Sequence, residues 1–187
     1  DTLAGSGPGG AVTLADVDLA ATLRPAAKAA PAGDRQAEMR KAIAAAMSRS
    51  KREIPHYYLS EAVPTQRAQV WLSDANAGRP ITGRLLMAAL QLKAVALALK
   101  KYPEMNGFFR DGAFQPVAAA HIGVAISMRQ GGLIAPAIHD VGEKTLDEVM
   151  RDLADLVKRA RAGSLKSSEM SDPTITVTNL GEQGVEA

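Results

Sequence analysis

HIGVAISMRQGGLIAPAI, residues 121–138, alternates bulky and small side chains: Ile122, Val124, Ile126 and Met128 fall on one side, His121, Gly123, Ala125 and Ser127 on the other. Successive residues of a strand point to opposite faces, so this pattern predicts a strand with one bulky and one small face. A face of Gly and Ala predicts that another element packs closely upon it. Gln130-Gly131-Gly132 then turns the chain into a second strand over 133–138, making a hairpin.

Downstream, Thr145-Leu-Asp-Glu148 has the spacing of a capping box, in which the Thr hydroxyl and the Glu carboxylate satisfy each other's backbone N–H. A helix is expected to about residue 162, with Leu146, Val149, Met150, Leu153, Val157 and Ala160 as its apolar stripe and Gly163 at its end. Lys158, Arg159 and Arg161 in its last turn suit the helix dipole and read as a solvated end. TITVT, 174–178, is a last short strand. Upstream, Met39, Ile43 and Met47 mark an amphipathic helix over 35–52, stopped by Pro55. HYYLSEAV, 56–63, reads as a strand, and 65–77 as a helix with Gly78 as a left-handed cap. The segment 84–101 is apolar around most of its circumference (Leu85, Leu86, Leu90, Leu92, Val95, Leu97, Leu99), which marks it as the central buried helix.

Residues 1–20 form a Gly-rich turn and a helix start, the tail of a small domain. The Ala/Pro stretch 21–34 lacks apolar periodicity and reads as a linker, so the main domain is 35–187. Beginning with Asp1 instead of Met, the chain is expected to be a cleavage product or a piece of a longer protein. In 187 residues, Lys and Arg number 22 against 20 Asp and Glu, a net charge of +2 that gives no basic coat for nucleic acid. No cysteine means no disulfide and no thiol nucleophile, and suits a reducing compartment: bacterial cytoplasm first, mitochondrial matrix second. Lys93, Lys100 and Lys101 interrupt or end the longest apolar run, so no membrane span is expected.

Gly5-Ser-Gly-Pro-Gly-Gly10 satisfies G-x-G-x-x-G, but no strand precedes it and a turn is the better reading. The clusters Arg49-Ser-Lys-Arg52 and Lys158-Arg-Ala-Arg161 read as helix ends. The three histidines, His56, His121 and His139, lack metal-ligand spacing, so no metal is expected, and spacing alone names no general base.

Seven stretches, in order, resemble the dihydrolipoyl acyltransferase family of the 2-oxo acid dehydrogenase complexes. RKAIAAAM (40–47) resembles its opening helix, IPHYYL (54–59) its first strand, and KAVALALKKYP (93–103) with Asn106 its central helix and following turn. HIGVA (121–125), GLIAP (132–136), RARAGSLK (159–166) and TVTNLG (176–181) continue the match, which runs over 40–184. Residues 1–20 resemble the second half of the peripheral subunit-binding domain, through GSGPGG (5–10) and VTLADV (12–17), with Ala11 where a basic residue is usual.

The resemblance implies an α/β (α+β) fold like chloramphenicol acetyltransferase, a mixed sheet flanked by helices and incomplete at its C-terminal end. It implies homotrimers within a larger core, and transfer of an acyl group from S-acyl-dihydrolipoamide, whose lipoyl group is carried on a separate domain, to coenzyme A. Dehydrogenase components are the implied partners. In that chemistry a His of an H-R-x-x-x-D-G motif takes a thiol proton and a hydroxyl stabilises the oxyanion. The position of that hydroxyl matches Thr178, where Ser is commoner. No H-R-x-x-x-D-G occurs before Ala187, so the chain alone is expected to be inactive. His56, Tyr57 and Tyr58 are candidates for the wall of the substrate site. Two other readings are a non-catalytic assembly or binding piece and an antibiotic-type acetyltransferase on the same fold.

Overall fold

The computed structural model describes residues 5–16, 32–128 and 132–180. Most of the expected linker, and Gln130-Gly131 of the expected turn, lie outside the described residues. The chain divides into two units, 1–39 and 40–187.

In the first unit a one-turn 3-10 helix, Pro8–Gly10, carries Gly9 and Gly10 at φ 71° and 81°, a region that disfavours side chains. A Cβ on Gly5 would lie 2.4 Å from the Ala11 carbonyl, and the Gly7 amide donates to that carbonyl at 2.9 Å. The glycines therefore serve a tight local turn. Asp16 locks it, accepting from the Ser6 and Thr13 amides and the Thr13 hydroxyl at 2.9, 2.8 and 2.8 Å. These donors, Ser6 foremost, hold its carboxyl far below the usual range.

Helix α1, Ala32–Glu53, starts slightly before the expected boundary. Residues 56–63 correct the sequence reading: they form no strand, because a ladder requires a second backbone and none among the described residues pairs with them. Tyr57, Tyr58, Leu59 and Val63 are 73, 76, 85 and 74% exposed. Helix α2, Gln66–Ala77, ends at a Gly78 that is not left-handed (φ −98°). Arg79 Nε instead donates to the Ala75 carbonyl at 3.1 Å, doing the capping with a side chain. The Asn76 amide brackets Leu85, accepting from its N–H at 2.8 Å and donating to its carbonyl at 2.9 Å. That clamp holds Leu85 out of the helix, so α3 spans Met87–Lys101 and not 84–101.

Only one face of α3 is buried: Ala89, Leu92, Ala96 and Leu99 are in the core, while Leu97 is 50% exposed, as is Leu86 just before the helix at 54%. By length and composition alone the stretch Ile81–Lys101 is apolar enough to cross a bilayer, although Arg84 and Lys93 interrupt it and one face of its helix belongs to the core. Here its Lys93 ammonium donates to the carbonyls of Val141, Gly142 and Lys144 at 3.2, 2.9 and 2.5 Å.

A hairpin, β1 (Gly107–Arg110) and β2 (Ala113–Pro116), turns at Asp111-Gly112 with φ 53° and 74°, the two-residue turn that matches strand twist. The central strand expected over 122–128 breaks at Ala125 into β3 (Ile122–Val124) and β4 (Ile126–Ser127). Its hairpin partner likewise splits into β5 (Leu133–Ile134) and β6 (Ala137–Ile138) around Ala135-Pro136. Sheet order is β6-β3-β7, antiparallel then parallel, with β7 at Ile175–Val177, and a separate antiparallel β4–β5 pair.

Helix α4, Leu146–Ala162, has the expected capping box at Thr145 and Glu148 and ends at a left-handed Gly163 (φ 69°). Leu156, rather than Val157, is the fully buried member of its stripe, beside Val149, Leu153 and Ala160. A short helix α5, Ser167–Ser171, follows. The core is the α3 face, the α4 stripe and the sheet residues Ile122, Ile126 and Ile138.

Candidate functional site

Thr178 follows β7 directly, and its position is set from the sheet outward. The parallel register pairs Ile122 with Ile175, Gly123 with Thr176 and Val124 with Val177. The Thr174 amide donates to the His121 carbonyl at 2.8 Å, and the Ala125 amide to the Val177 carbonyl at 3.1 Å, closing both ends of the pairing. The small face expected from sequence is real at Gly123. A Cβ there would meet the Ala135 carbonyl oxygen and Thr176 Oγ1 at 3.0 Å and Pro173 Cβ at 3.1 Å, so β7 sits as close as it does because residue 123 has no side chain. Gly123→Ala is expected to cost about 1–2 kcal/mol through this crowding. Thermal unfolding checks it, and a melting temperature at or above wild type contradicts it.

Thr178 is exposed, and no described residue takes up its hydroxyl. The next residue is tied down: Asn179 Nδ2 donates to Gln91 Oε1 of α3 at 2.9 Å. The other sequence candidates, His56, Tyr57 and Tyr58, lie on the exposed segment after α1. His56 Nδ1 donates to the Ile54 carbonyl at 2.6 Å, and Lys51 Nζ stands 4.6 Å from the centre of the Tyr58 ring. No described hydrogen bond joins any of the three to Thr178.

Two cavities lie elsewhere. One, about 250 Å³, has an apolar floor that includes Ala96, Leu99 and Ala119 and a charged lip of Lys100 and Glu143, paired at 2.8 Å. The other, about 220 Å³, is polar and lined by residues that include His139, Lys144, Asp152, Arg159 and Glu169. Its charges are matched internally. Arg159 holds both Glu169 oxygens at 2.6 Å and Asp155 at 2.6 Å, and Lys144 holds Asp152 at 2.6 Å. Arg159 is therefore part of a partly buried ion-pair network reaching the buried Glu169, and not the solvated helix end that its sequence position implied. His139 Nε2 lies 3.0 Å from Asp172, and its ring meets His121 edge-on at 4.9 Å between centroids. Among the described residues no group of three or more His, Cys, Asp or Glu is arranged to hold a metal ion.

Glu169 is 6% exposed, and the Arg159 guanidinium first, then the Lys166 amide, holds its carboxyl below the ordinary 4.5. A carboxylate with a depressed folded value contributes its full stability above the unfolded value and loses it as pH falls through the folded one. Glu169→Gln is thus expected to lower stability by about 2 kcal/mol at neutral pH. That deficit shrinks as the pH falls below 4.5. Melting curves of both proteins across pH check this, and a deficit that stays constant to pH 3, or about that, removes the ion pair as its cause.

Comparison with known proteins places these features in a wider set. Residues 33–187 match the model of the 2-oxoacid dehydrogenases acyltransferase (catalytic domain) family. The dihydrolipoyllysine-residue acetyltransferase component of the mitochondrial pyruvate dehydrogenase complex of Neurospora crassa is 32% identical over 180 residues, 95% of this chain and 39% of that protein. Among solved structures, the Azotobacter vinelandii dihydrolipoamide acetyltransferase, studied for the role of a serine, a histidine and an asparagine in its catalytic mechanism, superposes with TM-score 0.73 at 26% identity, over 80% of this chain and 62% of that one. The cubic core of a pyruvate dehydrogenase multienzyme complex gives TM-score 0.73, 26% identity and the same coverage. The chain thus spans about two fifths of the length of this curated relative.

Proposed function

The chain belongs to the 2-oxo acid dehydrogenase acyltransferase family through its catalytic domain, and we propose that it supplies the oxyanion-stabilising side of an acyl transfer from S-acyl-dihydrolipoamide to coenzyme A. The observation that carries the proposal is Thr178: an exposed residue whose hydroxyl no described residue engages, at the end of a strand held in register with the HIGVA strand. The coenzyme A thiol attacks the thioester carbonyl, a base takes the thiol proton, and the carbonyl oxygen becomes an oxyanion to which Thr178 Oγ1 donates. Collapse reforms the carbonyl and expels the dihydrolipoyl sulfur, which takes up the proton. The base is the His of an H-R-x-x-x-D-G motif, which these 187 residues do not contain. His56, Tyr57 and Tyr58 become wall residues of the substrate site when another polypeptide segment covers theirs.

The exposed apolar side chains Tyr57, Tyr58, Leu59, Trp71 and Ile81 support association of copies of this domain into a trimer and a larger core. Residues 1–20 act as part of a peripheral subunit-binding domain, contacting dehydrogenase components, with 21–34 as the linker to the catalytic domain at 35–187. The compact turn locked by Asp16 supports that division. The cysteine-free composition suits the bacterial cytoplasm, and the matrix as second choice.

Substrate competition tests the reading. With a polypeptide bearing H-R-x-x-x-D-G supplied in trans, acyl transfer is expected between lipoylated protein thiols and coenzyme A. Acceptance of small hydroxyl compounds alone reverses it in favour of an antibiotic-type acetyltransferase.

A further inference from the structure

We propose that Gln91 is a positioning residue for Thr178, acting through Asn179; this rests on the reading of Thr178 as the oxyanion donor. A hydroxyl that stabilises developing charge is useful only when it is aimed in advance, and a residue beyond the end of a strand has no ladder to aim it. Thr178 sits between two tethers. On one side the Val177 carbonyl accepts from the Ala125 amide at 3.1 Å, the last bond of the sheet. On the other, the Asn179 side-chain amide donates to Gln91 Oε1 at 2.9 Å. The first fixes the peptide unit before Thr178 and the second anchors the side chain of the residue after it, so the backbone from which its Cβ and Oγ1 project is restrained from both sides.

The second tether is mounted on a stiff support. Gln91 lies on α3 between Ala89, fully buried, and Leu92, 1% exposed, so its backbone is held by the core. Its own side chain is half-buried, which leaves the acceptor at the edge of the core, facing the end of β7. Chemistry dictates which replacement preserves the contact. Asn179 is the donor, so the position requires an acceptor on a side chain of this length. Glu supplies one and Leu does not.

The test uses the 187-residue chain and reads the Thr178 side-chain rotamer by NMR, through its methyl carbon shift and three-bond couplings. A single rotamer is expected in wild type and in Gln91→Glu, and rotamer averaging in Gln91→Leu. The melting temperature of Gln91→Leu should stay within about 2 °C of wild type, as for a surface substitution. A single rotamer retained in Gln91→Leu, or averaging in Gln91→Glu as well, overturns the proposal. In the assay with H-R-x-x-x-D-G supplied in trans, Gln91→Leu should lower kcat about tenfold with KM for coenzyme A unchanged, and should add nothing in a Thr178→Ala background. If Thr178→Ala leaves the rate intact, the donor reading fails. If Thr178→Ala slows transfer and Gln91→Leu does not, Gln91 alone is dismissed.

Discussion

Thr178→Ala is expected to lower the rate of acyl-CoA formation about 100- to 1,000-fold when the H-R-x-x-x-D-G base is supplied in trans, the usual cost of removing one oxyanion donor, which is the role proposed for Thr178. The size follows from where the charge appears. The ground-state thioester oxygen is a weak acceptor, while the tetrahedral oxygen carries a full negative charge, so a hydroxyl held in place favours the transition state over the substrate. The loss should therefore fall on kcat, with KM for either substrate little changed. Two controls separate the hydroxyl from the methyl. Thr178→Val keeps the shape and removes the donor, and should be as slow as Thr178→Ala. Thr178→Ser keeps the donor and removes the methyl, and should match or exceed wild type. An active Thr178→Val protein would show that shape, not charge stabilisation, is what residue 178 provides.

Leu92→Ala should produce the largest loss of stability of any single truncation in α3, about 3 kcal/mol. Leu92 is 1% exposed and sits in the cluster where the α3 face, the α4 stripe and Ile122 and Ile138 of the sheet meet. That cluster draws on both helices and the sheet, none of which can shift to refill a void without disturbing the others, so transfer and cavity terms both count. For a chain of 187 residues this corresponds to a fall of roughly 6–12 °C in melting temperature. By contrast Leu97→Ala, at a half-exposed position of the same helix, should change stability by well under half as much, about 1 kcal/mol. Equal losses at the two positions would mean that α3 is enclosed on all sides, as its composition had implied.

The features that were legible in the sequence are those whose cause is local. The capping box at Thr145 and Glu148 satisfies its donors within four residues, and the Gly163 terminus needs only its own φ. The small face of the HIGVA strand was legible because a glycine in extended backbone points to a close neighbour, and Gly123 has three. What misled was long-range. Residues 56–63 have the composition of a strand but no backbone alongside, and composition carries no information about the second strand of a ladder. The start of α3 is decided by Asn76, nine residues before Leu85 in the chain, and Gly78 is relieved of its capping role by the Arg79 side chain. The hairpin at Asp111-Gly112 was announced by an Asp-Gly pair between FFR and AFQP and could have been found.

The role proposed for Thr178 rests on resemblance, since a threonine at a strand end has no distinguishing chemistry by itself. Gln91, the proposed positioning residue, carries no signal in the sequence, because its hydrogen bond to Asn179 joins residues 88 positions apart. Arg159 was misjudged for the same reason: its carboxylate, Glu169, lies on the next helix.

On the proposed reading Thr178 serves the oxyanion of an acyltransferase site whose base comes from an H-R-x-x-x-D-G motif, a motif these 187 residues do not contain. The most direct measurement is coenzyme A acylation from S-acyl-dihydrolipoamide by the purified 187-residue chain, by a separate polypeptide bearing H-R-x-x-x-D-G, and by the two refolded together. Turnover is expected only in the mixture, and only while residue 178 carries a hydroxyl. Turnover by the 187-residue chain alone at the rate of the mixture would contradict the account.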